Sequence, residues 1–309
     1  MKVFVTGATG FIGSAIVLEL IGAGHKVLGL TRSEAGAKSL AAAGAEVHRG
    51  HLENLESLHT GAAMADGVIH CAFIHEWSKF KENCEIDQRA IETLGSALAG
   101  SDRPLIVSSG IGPLAPGRLA TEEDNPRADS ALPRVSEQSA MALRSRGVNV
   151  AVMRLPQIHD PVKQGLITYL VAMAREKGVS PYIGDGRNRW AAAHVSDTAR
   201  LYRLALEKRE AGARYHAVGE EGVTLRDIAE VIGRGLKVPV ASISREEAPA
   251  HFGWFAMFAG LDMPASSAIT QQRLGWHPTG PGLIADLEKM RYFEAEEPAR
   301  VAKGTPASA

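Results

Sequence analysis

The chain has 309 residues, of which 45% are hydrophobic and 22% charged, and its formal net charge is −1 at pH 7. This composition is typical of a folded globular protein with a large core and excludes an intrinsically disordered chain. A near-neutral charge without a run of lysine or arginine provides no basic surface for a phosphate backbone. We therefore do not expect nucleic acid as a partner.

The cysteines and apolar stretches bear on where the protein works. Cys71 and Cys84 are too few for a disulfide framework and lie in no CxxC or zinc-ligand spacing, so we expect free thiols in a reducing compartment. No stretch reaches membrane-spanning length, and glycine interrupts KVFVTG before it could serve as a secretory signal. These features predict a cytoplasmic protein with no membrane partner and leave a homo-oligomer open.

Short apolar runs rich in β-branched residues alternate with helix-length amphipathic segments through the first half of the chain. Such runs suit strands buried on both faces, and the intervening segments are long enough for crossover helices. The sequence therefore predicts an α/β fold with a Rossmann-type doubly wound parallel sheet. In chain order the six runs are KVFVTG, KVLGLTR, AEVHRG, GVIHCA, PLIVSSG and NVAVMRLP.

The regular alternation stops after Pro156. Helices are predicted over residues 163–177 and 196–207, separated by the turn-rich SPYIGDGRNRW. TLRDIAEVIGRGL, with a threonine three residues before an aspartate, predicts a capped helix, and VPVASIS a strand of a smaller C-terminal lobe. We predict a dinucleotide-binding domain of residues 1–155 with 190–218, a substrate lobe of residues 156–189 with 219–293, and a flexible tail of residues 294–309.

Three glycines spaced by three, Gly7, Gly10 and Gly13, follow the first predicted strand and open an apolar helical stripe. At such a turn the first glycine permits a tight bend, the second lets a pyrophosphate approach the backbone, and the third allows close packing of helix and strand. The helix N-terminus offers N–H groups and a positive dipole end to the phosphates. The alternative is a turn that binds nothing.

The spacing GxxGxxG in TGATGFIG resembles that of the extended and atypical short-chain dehydrogenase/reductases, an epimerase/dehydratase-like family. The likeness continues through GVIHCAF, LIVSSG, RLPQIHD and AAHVSDTARLYRLALE, and so covers almost the whole chain. It implies a nicotinamide cofactor and a small-molecule substrate. By this resemblance the expected cofactor-binding residues at the turn and at the later strand ends are Gly7, Thr9, Gly10, Phe11, Ile12, Gly13, Cys71, Ala72, Phe73, Ser108, Pro156 and Gln157.

The second predicted strand ends in LTRS, without the acidic residue that would hold a ribose 2′-hydroxyl. Because a guanidinium fork can pair with a 2′-phosphate that a carboxylate would repel, Arg32, followed by Ser33, favours NADP (NADPH) over NAD. The alternative is a solvated arginine at a strand end. In HRGHLEN, His51 precedes Leu52 where the family usually has an aspartate that holds the adenine amine, and we expect both residues near the adenine.

The family's catalytic tyrosine, and the lysine four residues after it, have no counterpart in LPRVSEQSAMALRSRG. If Ser136 and Glu137 align with the family's Ser-Lys pair, Pro133 stands at the tyrosine position and Glu137 at the lysine position. Neither residue can supply that chemistry, because proline has no proton to give and glutamate cannot lower a neighbour's pKa as ammonium does.

Other side chains are candidates for the missing roles. Ser109, at the end of the fifth strand, is expected to orient a substrate carbonyl. His159 is the favoured general acid and His75 another candidate, since imidazole titrates near neutral pH, although each is otherwise a structural histidine. His194 and Asp197 of HVSD are expected to cap and anchor a helix.

The aromatic segment HFGWFAMFAGLDMP suits either an apolar substrate pocket or the core of the second lobe. No metal is predicted, because strand alternation would place His48 and His51 on opposite faces. Together these features predict an NADPH-dependent carbonyl reductase acting on a small apolar carbonyl compound with a non-standard proton donor. Two alternatives stay open: a redox-sensing regulator without turnover, and a nucleotide-sugar epimerase or dehydratase relative.

Overall fold

The computed structural model describes residues 1–126 and 133–290. The strands are β1 (Lys2–Thr6), β2 (Lys26–Thr31), β3 (Glu46–Arg49), β4 (Gly67–His70), β5 (Leu105–Gly110), β6 (Val150–Leu155), β7 (Gln157–His159), β8 (Ser180–Ile183), β9 (Arg189–His194), β10 (Arg214–His216), β11 (Glu220–Thr224) and β12 (Val240–Ile243). The helices are α1 (Phe11–Gly22), α2 (Glu34–Ala42), α3 (Leu55–Ala63), α4 (Phe80–Leu98), α5 (Ser136–Ala142), α6 (Ile167–Lys177), α7 (Val195–Lys208), α8 (Leu225–Leu236), α9 (Ala248–Phe252), α10 (Ala256–Ala259), α11 (Ala268–Leu274) and α12 (Leu283–Glu288).

Seven parallel strands form the central sheet in the order β10-β6-β5-β4-β1-β2-β3. The predicted doubly wound α/β fold is confirmed. β1 pairs with β2 on one side, Val3 opposite Val27, and with β4 on the other, Val3 opposite Gly67. The strand order therefore reverses at β1, and open α/β sheets bind ligands at the carboxyl ends of the strands beside such a switch point.

Helices cover both faces of the central sheet because its strands are apolar on both. α1 and α7 pack on one face, over Val5 and Ile69. α3, α4 and α5 pack on the other, over Phe4 and Val107. With both faces buried, the loops at the carboxyl ends of the strands are left to form the site.

The C-terminal residues form a smaller lobe with its own core. β9 lies between β7 and β11 in a three-stranded sheet, and β8 pairs with β12, the strand predicted from VPVASIS. Trp190 and Phe255 are buried in this core with residues of α6, α8 and α12. Thr224 caps α8 as predicted, since its hydroxyl accepts a hydrogen bond from the N–H of Asp227 at 3.1 Å.

Helix α7 matches the prediction over residues 196–207 closely, whereas α6 begins at Ile167 rather than at residue 163. The intervening residues form a turn instead. The Asp160 carboxylate accepts hydrogen bonds from the N–H groups of Val162 and Lys163, at 2.7 and 2.5 Å. This local bonding competes with the first turn of the helix.

The division into domains stays a prediction. α7 and β10 lie on the central sheet, but residues 190–194, assigned to the dinucleotide-binding domain, pair with β7 and β11 of the smaller lobe. The tail predicted over residues 294–309 lies outside the described residues. In the part of the chain that the structure describes, no helix is long and apolar enough to cross a bilayer, and no cluster of three or more His, Cys, Asp or Glu side chains could hold a metal ion.

Candidate functional site

The glycine-rich turn joins β1 to α1. Gly7 has a φ of +68°, and a Cβ there would lie 2.8 Å from the nitrogen of Ala72. A Cβ at Gly13 would lie only 2.0 Å from the Gly7 carbonyl oxygen, so the helix packs directly on the turn. Gly10 is exposed and precedes the helix without a side-chain cap. The backbone and the positive helix end are therefore open to an anion, and the turn fits a dinucleotide pyrophosphate.

Arg32 lies at the end of β2, close to this turn. Its side chain is exposed and forms neither a hydrogen bond nor an ion pair with a described residue. Ser33 caps α2 by accepting the N–H of Gly36 at 3.0 Å. A Cβ on Gly36 would lie 3.1 Å from the Thr9 side chain, so the start of α2 adjoins the exposed tip of the turn. A free guanidinium beside a helix N-terminus suits a phosphate group.

The residues after β3 were predicted to contact adenine. His51 is exposed, with Nδ1 3.8 Å from the Glu53 carboxylate, and Leu52 is buried. His48 is turned into the fold, where its Nε2 contacts the Ser57 carbonyl oxygen at 2.9 Å. The two histidines are thus separated, and the adenine contact stays a prediction.

The segment after β4 runs alongside the glycine turn. The Cys71 thiol donates to the Thr6 carbonyl oxygen at 2.9 Å, and burial raises its pKa to about 12. Cys71 is therefore an unreactive thiol at neutral pH. The Ala72 N–H donates to the Thr6 hydroxyl at 3.3 Å. Phe73 is half-buried, and the Arg134 guanidinium lies 4.2 Å from its ring centroid.

The two serines at the end of β5 face opposite sides of the sheet. Ser108 is buried, donates to the His70 carbonyl oxygen at 2.7 Å and lies 2.6 Å from the Tyr202 hydroxyl, so its side chain is committed to the core beneath α7. Ser109 is half-buried and shares the face of Val107, and its hydroxyl forms no hydrogen bond with a described residue. Of the two hydroxyls, that of Ser109 is available to a substrate.

The helix that was expected to carry Tyr and Lys instead anchors an ion-pair cluster. Glu137 is buried and accepts hydrogen bonds from Arg154 Nε and Nη2 at 2.7 and 2.6 Å, and from Arg214 Nε at 2.6 Å. Its carboxylate therefore points between β6 and β10 rather than into the cleft. Pro133 lies before α5 and, as a proline, has no proton to transfer.

Pro156 and Gln157 link β6 to the second lobe. Pro156 is half-buried. The buried Gln157 amide accepts the Leu166 N–H at 3.0 Å and donates to the Ile158 carbonyl oxygen at 3.0 Å, which fixes the approach to α6. Contact of these two residues with a cofactor stays a prediction.

His159 is fully buried, with Nδ1 2.8 Å from the Asp286 carboxylate of α12. Burial lowers its pKa more than the carboxylate raises it, which favours a neutral ring that donates from Nδ1. The preceding Ile158 packs with Phe11 and Ile12 at the start of α1. Because strand side chains alternate, His159 faces away from the glycine turn. Its role as general acid stays a prediction, and this geometry favours a structural role.

Arg134, which the sequence analysis did not single out, lies just before α5. Its Nε donates to the Ser136 hydroxyl at 2.8 Å, and Nη2 lies 3.5 Å from the Ser108 carbonyl oxygen. Ser136 in turn donates to the buried Asp87, which also bonds the His70 ring at 3.1 Å. Burial raises the pKa of Asp87, but the His70 bond and the nearby guanidinium outweigh it and hold this pKa below its usual range. A buried carboxylate thus holds a cation at the end of β5.

Aromatic side chains from the two lobes meet beside the end of β5, and the region where they meet is called the cleft here. Trp77, after β4, stacks on Trp254 of the second lobe with centroids 4.6 Å apart and an interplanar angle of 15°. Tyr169 meets both edge-on, at 6.1 and 5.1 Å. Phe80 lies 5.2 Å from Trp77 and 6.1 Å from Phe73, so ring contacts continue to the Arg134 site. The sequence signal was the aromatic run after the fourth strand, FIHEWSKF.

The segment HFGWFAMFAGLDMP contributes to the core of the second lobe, and its part in a substrate pocket stays a prediction. Phe252 and Phe255 are buried in the second lobe, whereas Trp254 and Met257 are exposed. His75 lies in the same cleft, 5.2 Å from the Phe73 ring, where lost hydration and then the Arg134 charge lower its pKa.

His194 and Asp197 have the structural roles expected of them. His194 precedes α7 and its Nδ1 accepts the Ser196 N–H at 3.3 Å. The Asp197 carboxylate accepts the N–H groups of Thr279 and Gly280, at 3.0 and 2.7 Å, which fastens the loop before α12.

The sequence matches the NAD dependent epimerase/dehydratase family over residues 3–219, about two thirds of the chain. The chain belongs to this family. One relative of the chain is an uncharacterized protein of Schizosaccharomyces pombe. It is 46% identical over 295 residues, which cover 95% of this chain and 100% of the relative. A second, from Saccharomyces cerevisiae, is also uncharacterized and is 44% identical, with 93% and 98% covered.

Solved structures of the NAD dependent epimerase/dehydratase fold superimpose on most of the chain. A dTDP-glucose 4,6-dehydratase from Streptomyces venezuelae, solved with NAD, has a TM-score of 0.75 at 21% identity and covers 95% of this chain and 97% of its own. A UDP-glucose 4-epimerase from Thermus thermophilus, also with NAD, has a TM-score of 0.73 at 20% identity, with 95% and 99% covered. At such identities the likeness shows the shared fold.

Proposed function

We propose that the protein is an NADPH-dependent oxidoreductase of the carbonyl reductase type, working in the cytoplasm on an apolar carbonyl compound. The observation that carries the proposal is the Arg32 guanidinium, which lies beside the open glycine turn and has no partner among the described residues. The turn suits a pyrophosphate, and Arg32 with the Ser33-capped start of α2 suits a ribose 2′-phosphate. A surface arginine without a partner at this place is well explained by a phosphate ligand.

Bound NADPH would supply a hydride to the carbonyl carbon, and a proton completes the alcohol. The free Ser109 hydroxyl would donate to the carbonyl oxygen and orient it. Arg134 lies beside this position but cannot serve as the acid, because a guanidinium does not release a proton near neutral pH. The lowered pKa of His75 leaves it mostly neutral, so we assign the proton to water at the open mouth of the cleft.

Two more distant relatives support this reaction class by name. A 4-hydroxy-2-methyl-3-oxo-4-farnesyl-3,4-dihydroquinoline-1-oxide ketoreductase of Stigmatella aurantiaca is 26% identical over 284 residues. A 2-alkyl-3-oxoalkanoate reductase of Stenotrophomonas maltophilia is 25% identical over 225 residues. Both names describe the reduction of a substrate that carries an oxo group.

Titration of the protein with NADPH and NADH tests the cofactor. Arg32→Ala should weaken NADPH binding about tenfold or more, because a charge-assisted phosphate contact contributes roughly 1.5 to 3 kcal/mol, while NADH binding changes little. Lys38→Ala, at an exposed position of α2, is the matched control and should leave both unchanged. Equal losses for the two cofactors in Arg32→Ala would contradict the assignment.

NADPH oxidation across a panel of aldehydes and ketones tests the reaction. We expect turnover with apolar carbonyl compounds and a marked loss of it in Ser109→Ala. Tight NADPH binding without oxidation of any compound would favour a cofactor-binding sensor. Conversion of a nucleotide sugar without net use of cofactor would favour the epimerase alternative.

A further inference from the structure

Arg134 is placed at the substrate end of the cleft rather than at the phosphate end. It lies next to β5, where Nη2 reaches the Ser108 carbonyl oxygen at 3.5 Å, and above the ring of Phe73 at 4.2 Å. Its guanidinium forms no ion pair with a carboxylate of a described residue, and its Nη1 forms no hydrogen bond with one. Among the described residues, nothing occupies the outer edge of the fork.

The surroundings of Arg134 hold it in one orientation. Ser136 accepts from Nε, and the buried Asp87 fixes Ser136 from behind. The Phe73 ring supports the flat side of the guanidinium, an arrangement that adds cation–π attraction. An arginine fixed in this way loses little freedom when it binds a planar anion.

We infer that the substrate is an oxo acid, whose carboxylate pairs with Arg134 and whose planar apolar body packs against Trp77 and Trp254. The inference rests on the proposed function, and specifies its substrate class. A single guanidinium fork matches one carboxylate, with two parallel N–H···O bonds. Because Arg134 contacts the backbone of Ser108 and Ser109 is the next residue, the carboxylate would lie close to the carbonyl group that Ser109 orients.

The stacked rings of Trp77 and Trp254 are the reason for proposing an apolar body for the substrate. Trp77 and Trp254 come from different lobes and stack face to face, and Trp254 is 41% exposed. A flat ligand that covers the exposed ring of Trp254 would remove apolar surface from water.

Equilibrium binding to the NADP⁺-loaded protein, measured by calorimetry, tests the inference without requiring turnover. The probes are 2-naphthoate, its neutral analogue 2-naphthamide, and acetate. We expect 2-naphthoate to bind about tenfold or more tightly than either of the others, since it alone has both the charge and the planar body. Equal binding of 2-naphthoate and 2-naphthamide would overturn the role of Arg134.

Variants separate the two halves of the site. Arg134→Gln should remove the preference for 2-naphthoate over 2-naphthamide, Arg134→Lys should restore part of it, and Trp254→Leu should weaken both naphthyl probes alike. Arg146→Gln, at an exposed position beyond α5, is the control and should change nothing. If Arg134→Gln weakens NADP⁺ as much as 2-naphthoate, the guanidinium serves the cofactor and the inference is wrong. Failure of carbonyl reduction alone would overturn the proposed reaction and leave this binding result intact.

Discussion

The cofactor end of the site is formed by backbone, whereas the proposed substrate end is formed by side chains. At the cofactor end, one stretch of backbone between β1 and α1 forms the site, and the three glycines matter for the side chains that they lack. At the substrate end, side chains from separate segments meet: Phe73 and Trp77 after β4, Arg134 before α5, and Trp254 from the second lobe. The first end depends on local sequence, the second on tertiary packing.

This difference explains how the chain keeps the family's fold without its Tyr–Lys pair. The glycine turn is tied to the packing of α1, so a change there affects both folding and binding. The substrate end is supported from behind by buried polar groups such as Asp87 and Glu137. Residues that face the cleft can change while that support stays in place.

Substitutions in the glycine turn should have the largest effects, and they test whether the backbone alone forms the cofactor end of the site. Gly13→Val should prevent stable folding, because its Cβ would lie 2.0 Å from a backbone oxygen that cannot move away. Gly10→Val should fold, since its Cβ meets only the Gly7 oxygen, at 3.1 Å, yet it should lose NADPH binding because the side chain occupies the pyrophosphate position. Thermal melts and NADPH titration give the two readouts.

Gly22→Ala is the control in the same helix, since nothing lies within 4 Å of a Cβ there. It should melt cooperatively and bind NADPH normally. A Gly10→Val protein that still binds NADPH normally would show that this glycine serves packing alone.

What could be predicted from the sequence follows the same division. The central sheet and the glycine turn depend on short-range patterns, and both were predicted from runs such as KVFVTG and from the spacing of Gly7, Gly10 and Gly13. The cap of α8 by Thr224 is likewise a local signal. The start of α6 was predicted too early because the Asp160 turn competes with the helix over the same residues.

The substrate end could not be predicted in this way. Nothing local indicates that Trp77 and Trp254 stack, because they lie 177 positions apart in the sequence. Glu137 was placed at the position of the catalytic lysine, and only its distant partner Arg154 shows that its side chain belongs to the core. A resemblance to a family assigns positions along a helix, but the direction of a side chain depends on what packs against it.

Breaking the ion pair between Glu137 and Arg154 should have the next largest effect. It tests whether Glu137 stabilises the fold rather than acting on a substrate. Glu137→Gln leaves the fully buried Arg154 without its carboxylate, which should cost about 3 to 5 kcal/mol of unfolding free energy. Urea unfolding measures this loss, and Gln138→Ala, at the exposed neighbouring position, should cost little. If the variant keeps full stability but loses turnover, Glu137 acts in catalysis after all.

Substitution of His159 tests whether a residue predicted for the substrate end belongs to the core of the second lobe. His159→Ala should lower the unfolding free energy by about 1 to 3 kcal/mol, because the buried Asp286 carboxylate loses its hydrogen-bond donor. Turnover per folded molecule should be nearly unchanged. His277→Ala, at an exposed position, is the stability control. A loss of about a hundredfold in turnover at unchanged stability would instead establish His159 as the general acid.

The smallest effect should be a pH dependence of stability that comes from buried histidines. Burial lowers the folded-state pKa of His159 and His216 below the ordinary value of 6.5. As the pH falls below 6.5, the unfolded chain therefore takes up protons that the folded protein does not, and the unfolding free energy decreases by at most about 1.4 kcal/mol per pH unit for each histidine. Urea unfolding at pH 7.0 and about 5.5 measures the slope. Lys38→Ala, at an exposed position, should keep this slope and His159→Asn should reduce it, since only the second removes a buried imidazole. Equal stability of the native protein at the two pH values would show that these rings take up protons as readily in the fold as in the unfolded chain.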